Sequence, residues 1–348
     1  MNFDYSEEQQ LLADSVRRFL QDRYGFEQRK AIVAGEGWSP QVWKQFAEMG
    51  ILGLPLPADV GGFGGGAVDL MAVMEAFGEA LVVEPVVPTL MAARLLGKHH
   101  RLLSSVAEGR TRLAFAHAEK GARYRPLVNT RYSSGTLNGE KCAVAGAPIA
   151  DKLVVSARDG ERIGLFLIDK AGLRGHSTLD GMLAADVVLT NTPAEPLEGD
   201  LSSIEEAIDF AAALGCAEAA GAMKFACDTT LEYLKTRKQF GVPIGTFQAL
   251  QHRMVDMYIS WEQARSMACL ACSKIDNNTS AAERARAVSA AKIKIADAAR
   301  HVSQEAVQLH GGMGMSEELK VSHAFRRLTV LAAEWGDADF HLERFASL

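Results

Sequence analysis

The chain has 348 residues, enough for roughly two to three domains at ~150 residues each. Hydrophobic residues make up 48% and charged residues 23%, an ordinary globular balance that excludes wholesale disorder, collagen and mucin-like stalks. The net charge of −6 offers no basic excess for nucleic acid, and no uncharged apolar run reaches the ~18–20 residues of a membrane span. Met1 to Tyr24 carries Asp4, Glu7, Glu8, Asp14 and Asp22. Neither a secretory signal nor a transit peptide tolerates that many acids, so a cytoplasmic location is expected.

In the first third, Ser6 and Gln9 form a capping-box pair, and Leu11, Leu12, Val16, Phe19 and Leu20 follow as a helical stripe. Ser39-Pro40 is a second start signal, a cap followed by a first-turn proline. Trp43, Phe46 and Met49 then share one face. The run Gly61 to Gly66 has no G-x-x-x-x-G-K-[ST] match and follows Leu-Pro-Leu-Pro. It reads as a flexible turn ahead of a third helix, Val68 to Ala80. Residues 1–109 are expected to form an N-terminal helical domain.

The middle third changes character. Leu113 to Ala116, Lys152 to Ala157, Ile163 to Ile168 and Asp186 to Leu189 are strand-like runs. Asn138-Gly139 and Asp159-Gly160 are hairpin signals between them. No long helical pattern alternates with these runs, so residues 110–200 predict an antiparallel, barrel-like β-domain rather than a Rossmann unit. Thr190 to Asp200, with two prolines and a glycine, reads as the way out.

Residues 201–348 predict an antiparallel four-helix bundle with helices near 202–236, 246–276, 280–310 and 317–346, and with Thr246 and Ser316 as caps. The fold class is therefore α+β. The five cysteines are Cys142, Cys216, Cys227, Cys269 and Cys272. Cys269-x-x-Cys272 lies in a helical pattern with no second pair and no histidine at zinc spacing, so no metal site is expected.

Two segments carry chemistry. Arg237-Lys238-Gln239-Phe240-Gly241-Val242-Pro243-Ile244-Gly245 leads into Phe247 to His252. An arginine beside a glycine-bearing turn can clasp a pyrophosphate with two parallel hydrogen bonds. Gln308-Leu309-His310-Gly311-Gly312-Met313-Gly314 supplies glycines that let backbone amides approach phosphate. His310 reads as a helix C-terminal residue, His252 as a packing or partner contact, and Arg326 and Arg327 as partner-binding or solvated cations.

With the helix–β–helix order and the opening Asp4-Tyr5-Ser6-Glu7-Glu8-Gln9, these segments resemble the acyl-CoA dehydrogenase family over nearly the whole chain. The compact middle and the Trp335-Gly336-Asp337 ending resemble the smaller subunits of its two-protein, heteromeric members. The resemblance implies an acyl-CoA substrate and one FAD shared between neighbouring subunits of a homo- or hetero-oligomer, a dimer or tetramer. Arg237, Gln239, Phe240 and Gln248 stand on one side of it, and Gln308, Gly311, Gly312 and Gly314 on the other. It further implies an electron-transferring flavoprotein as acceptor, a place in lipid or steroid degradation, and no nucleic-acid or membrane partner.

The family reaction removes an α-proton with a carboxylate and passes the β-hydrogen to the flavin as hydride. Here Trp335 falls at the base position, with Glu334 one residue early, ~100° round a helix, and Asp337 just beyond. On the first long C-terminal helix, where some relatives carry the base, the position falls near Ala211, with Asp209 two residues away. Glu119-Lys120-Gly121-Ala122-Arg123 and Ala143-Val144-Ala145 replace the usual flavin-contacting segments. The expectation is an FAD-dependent acyl-CoA dehydrogenase forming a trans-2-enoyl-CoA, with Glu334 or Asp209 as base. The alternative is a catalytically silent subunit whose paralogous partner supplies the base. A flavin oxidase of nitro compounds is a third reading, disfavoured because no acid stands at the base position.

Overall fold

A computed structural model describes residues 5–98, 100–169, 171–277 and 279–348; Asp4 of the opening motif lies outside them. The first helices are α1 (Glu7–Arg23), α2 (Phe26–Ala34), α3 (Pro40–Glu48), α4 (Ala67–Ala80), α5 (Val86–Leu95) and α6 (Leu103–Ala107). Eight strands follow: β1 (Leu113–Ala116), β2 (Arg131–Ser133), β3 (Thr136–Ala145), β4 (Lys152–Asp159), β5 (Arg162–Ile168), β6 (Gly172–Ser177), β7 (Leu183–Pro193) and β8 (Glu195–Leu197). Then come α7 (Leu201–Thr236), the short strands β9 (Lys238–Gln239) and β10 (Val242–Pro243), α8 (Gln248–Asp276), α9 (Ala281–His310), α10 (Lys320–Ala333) and α11 (Ala338–Ser347). The described residues group into two compact units. One holds those up to Lys30 with Ala67–Val82 and Ala212–Leu348; the other holds Ala31–Gly66 and Val83–Ala211.

The second unit is built on the sheet, in the order β6-β7-β3-β2-β4-β5-β8 with β1 on β4. Most ladders are antiparallel as expected, but β1·β4 and β2·β4 are parallel, so the sheet is mixed. Leu137, Val155, Phe166, Val187 and Leu189 build its core. Asp159-Gly160 does open a hairpin, with Asp159 opposite Arg162 and Gly160 at φ +61°. Asn138-Gly139 does not: it lies inside β3, where the ladder slips between Leu137 and Gly139. The turn is Ser134-Gly135, at φ +49° and +82°, the left-handed pair a tight hairpin needs. Glycine is required at 139 for another reason: a Cβ there would lie 2.6 Å from Thr130 Oγ1. The Gly61–Gly66 run is not a loose turn either. Amides of Gly62, Phe63, Gly64 and Gly65 bond back to carbonyls of Pro57, Gly53, Leu56 and Leu54.

The first unit is helical. Ser6 and Gln9 close the expected capping box on α1. A second box, Ser280 with Glu283, opens α9. Helices α4 and α7 cross at glycines: a Cβ on Gly78 would lie 1.9 Å from Glu218 O, and one on Gly221 1.9 Å from Glu75 O. Asp276 caps α4 through the amides of Ala67 (2.6 Å) and Val68 (2.8 Å). By length and composition α7 could cross a bilayer, but most of its apolar window is buried inside the fold, as in a core helix. The expected fourth helix is two, broken at Trp335 (φ +55°) and Gly336 (φ +123°). Asp337 caps α11 through the Phe340 amide. Thr246 and Ser316 are not caps. Phe247 and Leu319 stand at those positions, and the Thr246 hydroxyl donates to Pro243 O instead.

Candidate functional site

Two turns of the helical unit carry the residues the sequence singled out. At the end of α7, the Arg237 amide bonds to Tyr233 O and its carbonyl accepts from Ile244 N, each at 2.8 Å. Gln239 pairs with Val242 and Lys238 with Pro243. Phe240 (φ +55°) and Gly241 (φ +80°) make the tip. Phe240 is 91% exposed, an extreme value for an apolar ring. Its ring meets the edge of Phe247, with centroids 6.1 Å apart. Gln239 and Gln248 are exposed. The Arg237 guanidinium, also exposed, has no partner among the described residues.

The other turn ends α9. Gly311 sits at φ +62°, ψ −147°, backbone open in practice only to glycine. Neither Gly311 nor Gly312 has a heavy atom within 4 Å of where a Cβ would stand, and both are exposed, as is Gln308. Gly314 differs: it is buried, and a Cβ would lie 2.6 Å from Val307 O. Its lack of a side chain serves packing. The two turns are rooted side by side, because Tyr233 stacks on His310 with ring centroids 4.4 Å apart.

The base candidates lie in different surroundings. Glu334 ends α10, and its carbonyl accepts from the buried Lys292 ammonium at 2.7 Å, beside Leu331 O at 2.8 Å. The Glu334 side chain is 18% exposed, its carboxylate 3.5 Å from Arg327. Arg327 is neither solvated nor a surface cation. It is buried and bidentate to buried Glu218, at 2.6 and 2.8 Å, whereas Arg326 pairs with Glu317. The Trp335 ring lies against α7 at Gly215, where a methyl group would meet Cζ3 at 2.9 Å. His341 holds the turn, its Nε2–H donating to Trp335 O and its Nδ1 paired with Ser289, each at 3.2 Å. Burial, then the Lys292 charge, pushes His341 down to about 3, so it stays neutral. Burial likewise lowers Lys292. Asp209, on the part of α7 assigned to the other unit, is fully buried; Asp337 is committed to capping α11.

One cluster escaped sequence reasoning. In the sheet unit, buried Lys141 donates to His117 O (3.1 Å), Glu119 Oε1 (2.8 Å) and Ser156 Oγ (3.1 Å). Glu119 also accepts from the amides of Asn129 and Thr130 and the Thr130 hydroxyl. Burial would raise this carboxyl, but the bonds from Lys141, Thr130 and Asn129 prevail and hold it at about 2. Burial brings Lys141 down to about 8. The only sequence signal was a lysine in a strand and a glutamate some twenty residues before it.

Residues 6–99 match the acyl-CoA dehydrogenase N-terminal domain and residues 201–347 the acyl-CoA dehydrogenase C-terminal domain. The chain is 30% identical to acyl-CoA dehydrogenase IpdE2 of Mycolicibacterium smegmatis, over 92% of each. Among solved structures it is similar to the Tcur3481–Tcur3483 steroid ACAD G363A variant (27% identity, TM-score 0.89, 98% of this chain and 97% of that one). It is also similar to the FAD complex of PigA (25% identity, TM-score 0.88, 100% and 98%).

Proposed function

Since this chain belongs to the acyl-CoA dehydrogenase family, an oxidoreductase group, we propose that it binds FAD and serves in the α,β-desaturation of an acyl-CoA to a trans-2-enoyl-CoA, as the smaller subunit of a heteromer. The carrying observation is the contrast between two groups: an exposed Arg237 guanidinium without a partner among the described residues, and Trp335 where the family resemblance places the base. The residues fit the cofactor. Arg237 has the bidentate geometry for a pyrophosphate, and the open space where a Cβ would stand on Gly311 and Gly312 lets a phosphate approach their backbone closely. Gln239, Gln248 and Gln308 add exposed hydrogen-bonding groups, and Phe240 an apolar surface for a ring or a partner subunit. When bound, FAD supplies the hydride acceptor.

The proton chemistry falls to the paralogous partner in this reading. Trp335 carries no base. Glu334 is held at its carbonyl by Lys292 and faces Arg327 with its carboxylate. The outer face of α8, with exposed Val255, Tyr258 and Ile259, and exposed Met313 and Met315 suit burial against another subunit. The two-name Tcur3481–Tcur3483 assembly supports the heteromer, and its steroid designation supports a steroid-linked or other lipid acyl group. An electron-transferring flavoprotein is the proposed acceptor, as the family resemblance implies.

A second reading makes Glu334 the base of a self-sufficient homo-oligomer. Its favouring observation is that the Glu334 side chain keeps 18% exposure beside this turn, against 5% for Glu218. Glu334→Gln separates the two. Unchanged turnover in the assembled enzyme supports the partner's base; a loss of roughly 10²-fold or more with flavin retained assigns the base to Glu334.

A further inference from the structure

Tyr233 and His310 are absorbed by none of the roles above, yet they join the two FAD-facing turns. Tyr233 stands one helical turn before Arg237, and its carbonyl accepts the Arg237 amide at 2.8 Å. Its ring lies on that of His310, with centroids 4.4 Å apart and planes 25° apart. Its hydroxyl donates to the His310 carbonyl at 3.4 Å, one of the last carbonyls of α9, which lack partners within their own helix. His310 directly precedes Gly311. It is buried, and its Nδ1–H donates to Ala306 O at 2.8 Å. Burial lowers its pKa, so the ring is neutral and that single N–H is committed. The one N–H of the His310 ring and the Tyr233 hydroxyl proton both go to backbone carbonyls. Each fixes the backbone from which a cofactor-facing turn departs.

We propose that Tyr233 and His310 are positioning residues that lock the Gly311–Gly312 turn to the Arg237 hairpin. The inference rests on the reading of these two turns as FAD-binding. The stack carries most of the coupling, because an aromatic pair at this separation holds both ring planes, whereas a hydrogen bond of 3.4 Å is a weak one. Breaking the stack therefore loosens the glycine turn and misplaces its amides, although no group that touches FAD has been changed.

The test uses the intact chain, purified with its partner subunit if one is bound, in Tyr233→Leu, Tyr233→Phe and His310→Phe forms. Binding of FAD and of ADP to the flavin-free protein is titrated, and amide hydrogen exchange is followed across residues 308–315. Tyr233→Leu is expected to weaken FAD and ADP by about tenfold, at the scale of a lost aromatic pair. It also speeds exchange in the glycine turn while the α8 and α9 interiors keep their protection. Tyr233→Phe and His310→Phe keep two stacked rings and are expected to stay within about threefold of the parent; a loss of about tenfold or more in either overturns the stack as the coupling, whether or not Tyr233→Leu folds. A general loss of protection across α8 and α9, or FAD affinity in Tyr233→Leu within about twofold of the parent, overturns the proposal. If the parent binds neither FAD nor ADP, the FAD reading fails, and exchange at residues 311–314 still decides whether the ring pair holds the turn.

Discussion

The turn at Arg237 and the turn at Trp335 are both short breaks between helices of one compact unit, and they are built in opposite ways. Around Arg237 the polar and aromatic groups are exposed and the guanidinium lacks a partner among the described residues. Around Trp335 the carbonyls of Leu331, Glu334 and Trp335 each accept a bond from a buried side chain, and Arg327 is spanned between two carboxylates. A turn whose polar groups face solvent can exchange water for a ligand without breaking bonds inside the protein. A turn satisfied from within resists rearrangement. The difference teaches that the Trp335 turn is held by buried groups from other helices, while the Arg237 turn faces its polar groups outward.

The sharpest way to break this contrast is Arg327→Met. It strands buried Glu218 and is expected to cost about 3–5 kcal/mol in urea unfolding; a loss below about 1 kcal/mol would mean that the turn is not held by this pair. Gly336→Ala comes next. The residue sits at φ +123°, and a Cβ would lie 2.3 Å from His341 Nε2, so a cost of about 1–3 kcal/mol is expected from backbone strain alone, read as a lowered unfolding midpoint.

Acid tests the same turn more gently. Folded His341 titrates at about 3, below the ~6.5 of an unfolded chain. Between those values the unfolded state binds more protons. Stability is therefore full above pH ~6.5 and declines as pH falls toward 3, by at most about 1.4 kcal/mol per pH unit for this group. His341→Gln should flatten that slope, and an unchanged slope would remove His341 from the account of the turn. The smallest stability effect is expected at the other turn. Arg237→Ala should stay within about 0.5 kcal/mol of the parent, as exposed substitutions do, while FAD affinity falls by about tenfold or more. Equal flavin affinity would show that the guanidinium faces something else.

The two turns were also unequally legible. The Arg237 and Gly311 segments could be read because consecutive residues carry them and glycine marks the left-handed backbone. The α10–α11 break could not. Phe325, Leu328, Leu331, Trp335, Leu342 and Phe345 keep helical spacing straight across it, and the groups that hold it come from Lys292 and Glu218, on other helices. Arg327 reads as partner-binding or solvated for the same reason. In the sheet, Asn138-Gly139 reads as the turn, but its glycine answers to Thr130, and the turn at Ser134-Gly135 goes unread. Helix starts fared well where a side chain caps its own amides, as at Ser6 and Ser39. Starts made without a side-chain cap, at Phe247 and Leu319, left no local mark.

The most direct measurement is anaerobic. The chain is purified alone, its visible flavin band recorded, and straight-chain, branched, dicarboxylic and steroid-linked acyl-CoAs are added in turn, then again after reconstitution with a base-bearing paralogue. A closed base position predicts no bleaching by any of them with the chain alone, and bleaching by one class once the paralogue is present. Bleaching of the lone chain's flavin by any acyl-CoA would contradict it and place a working base in this chain.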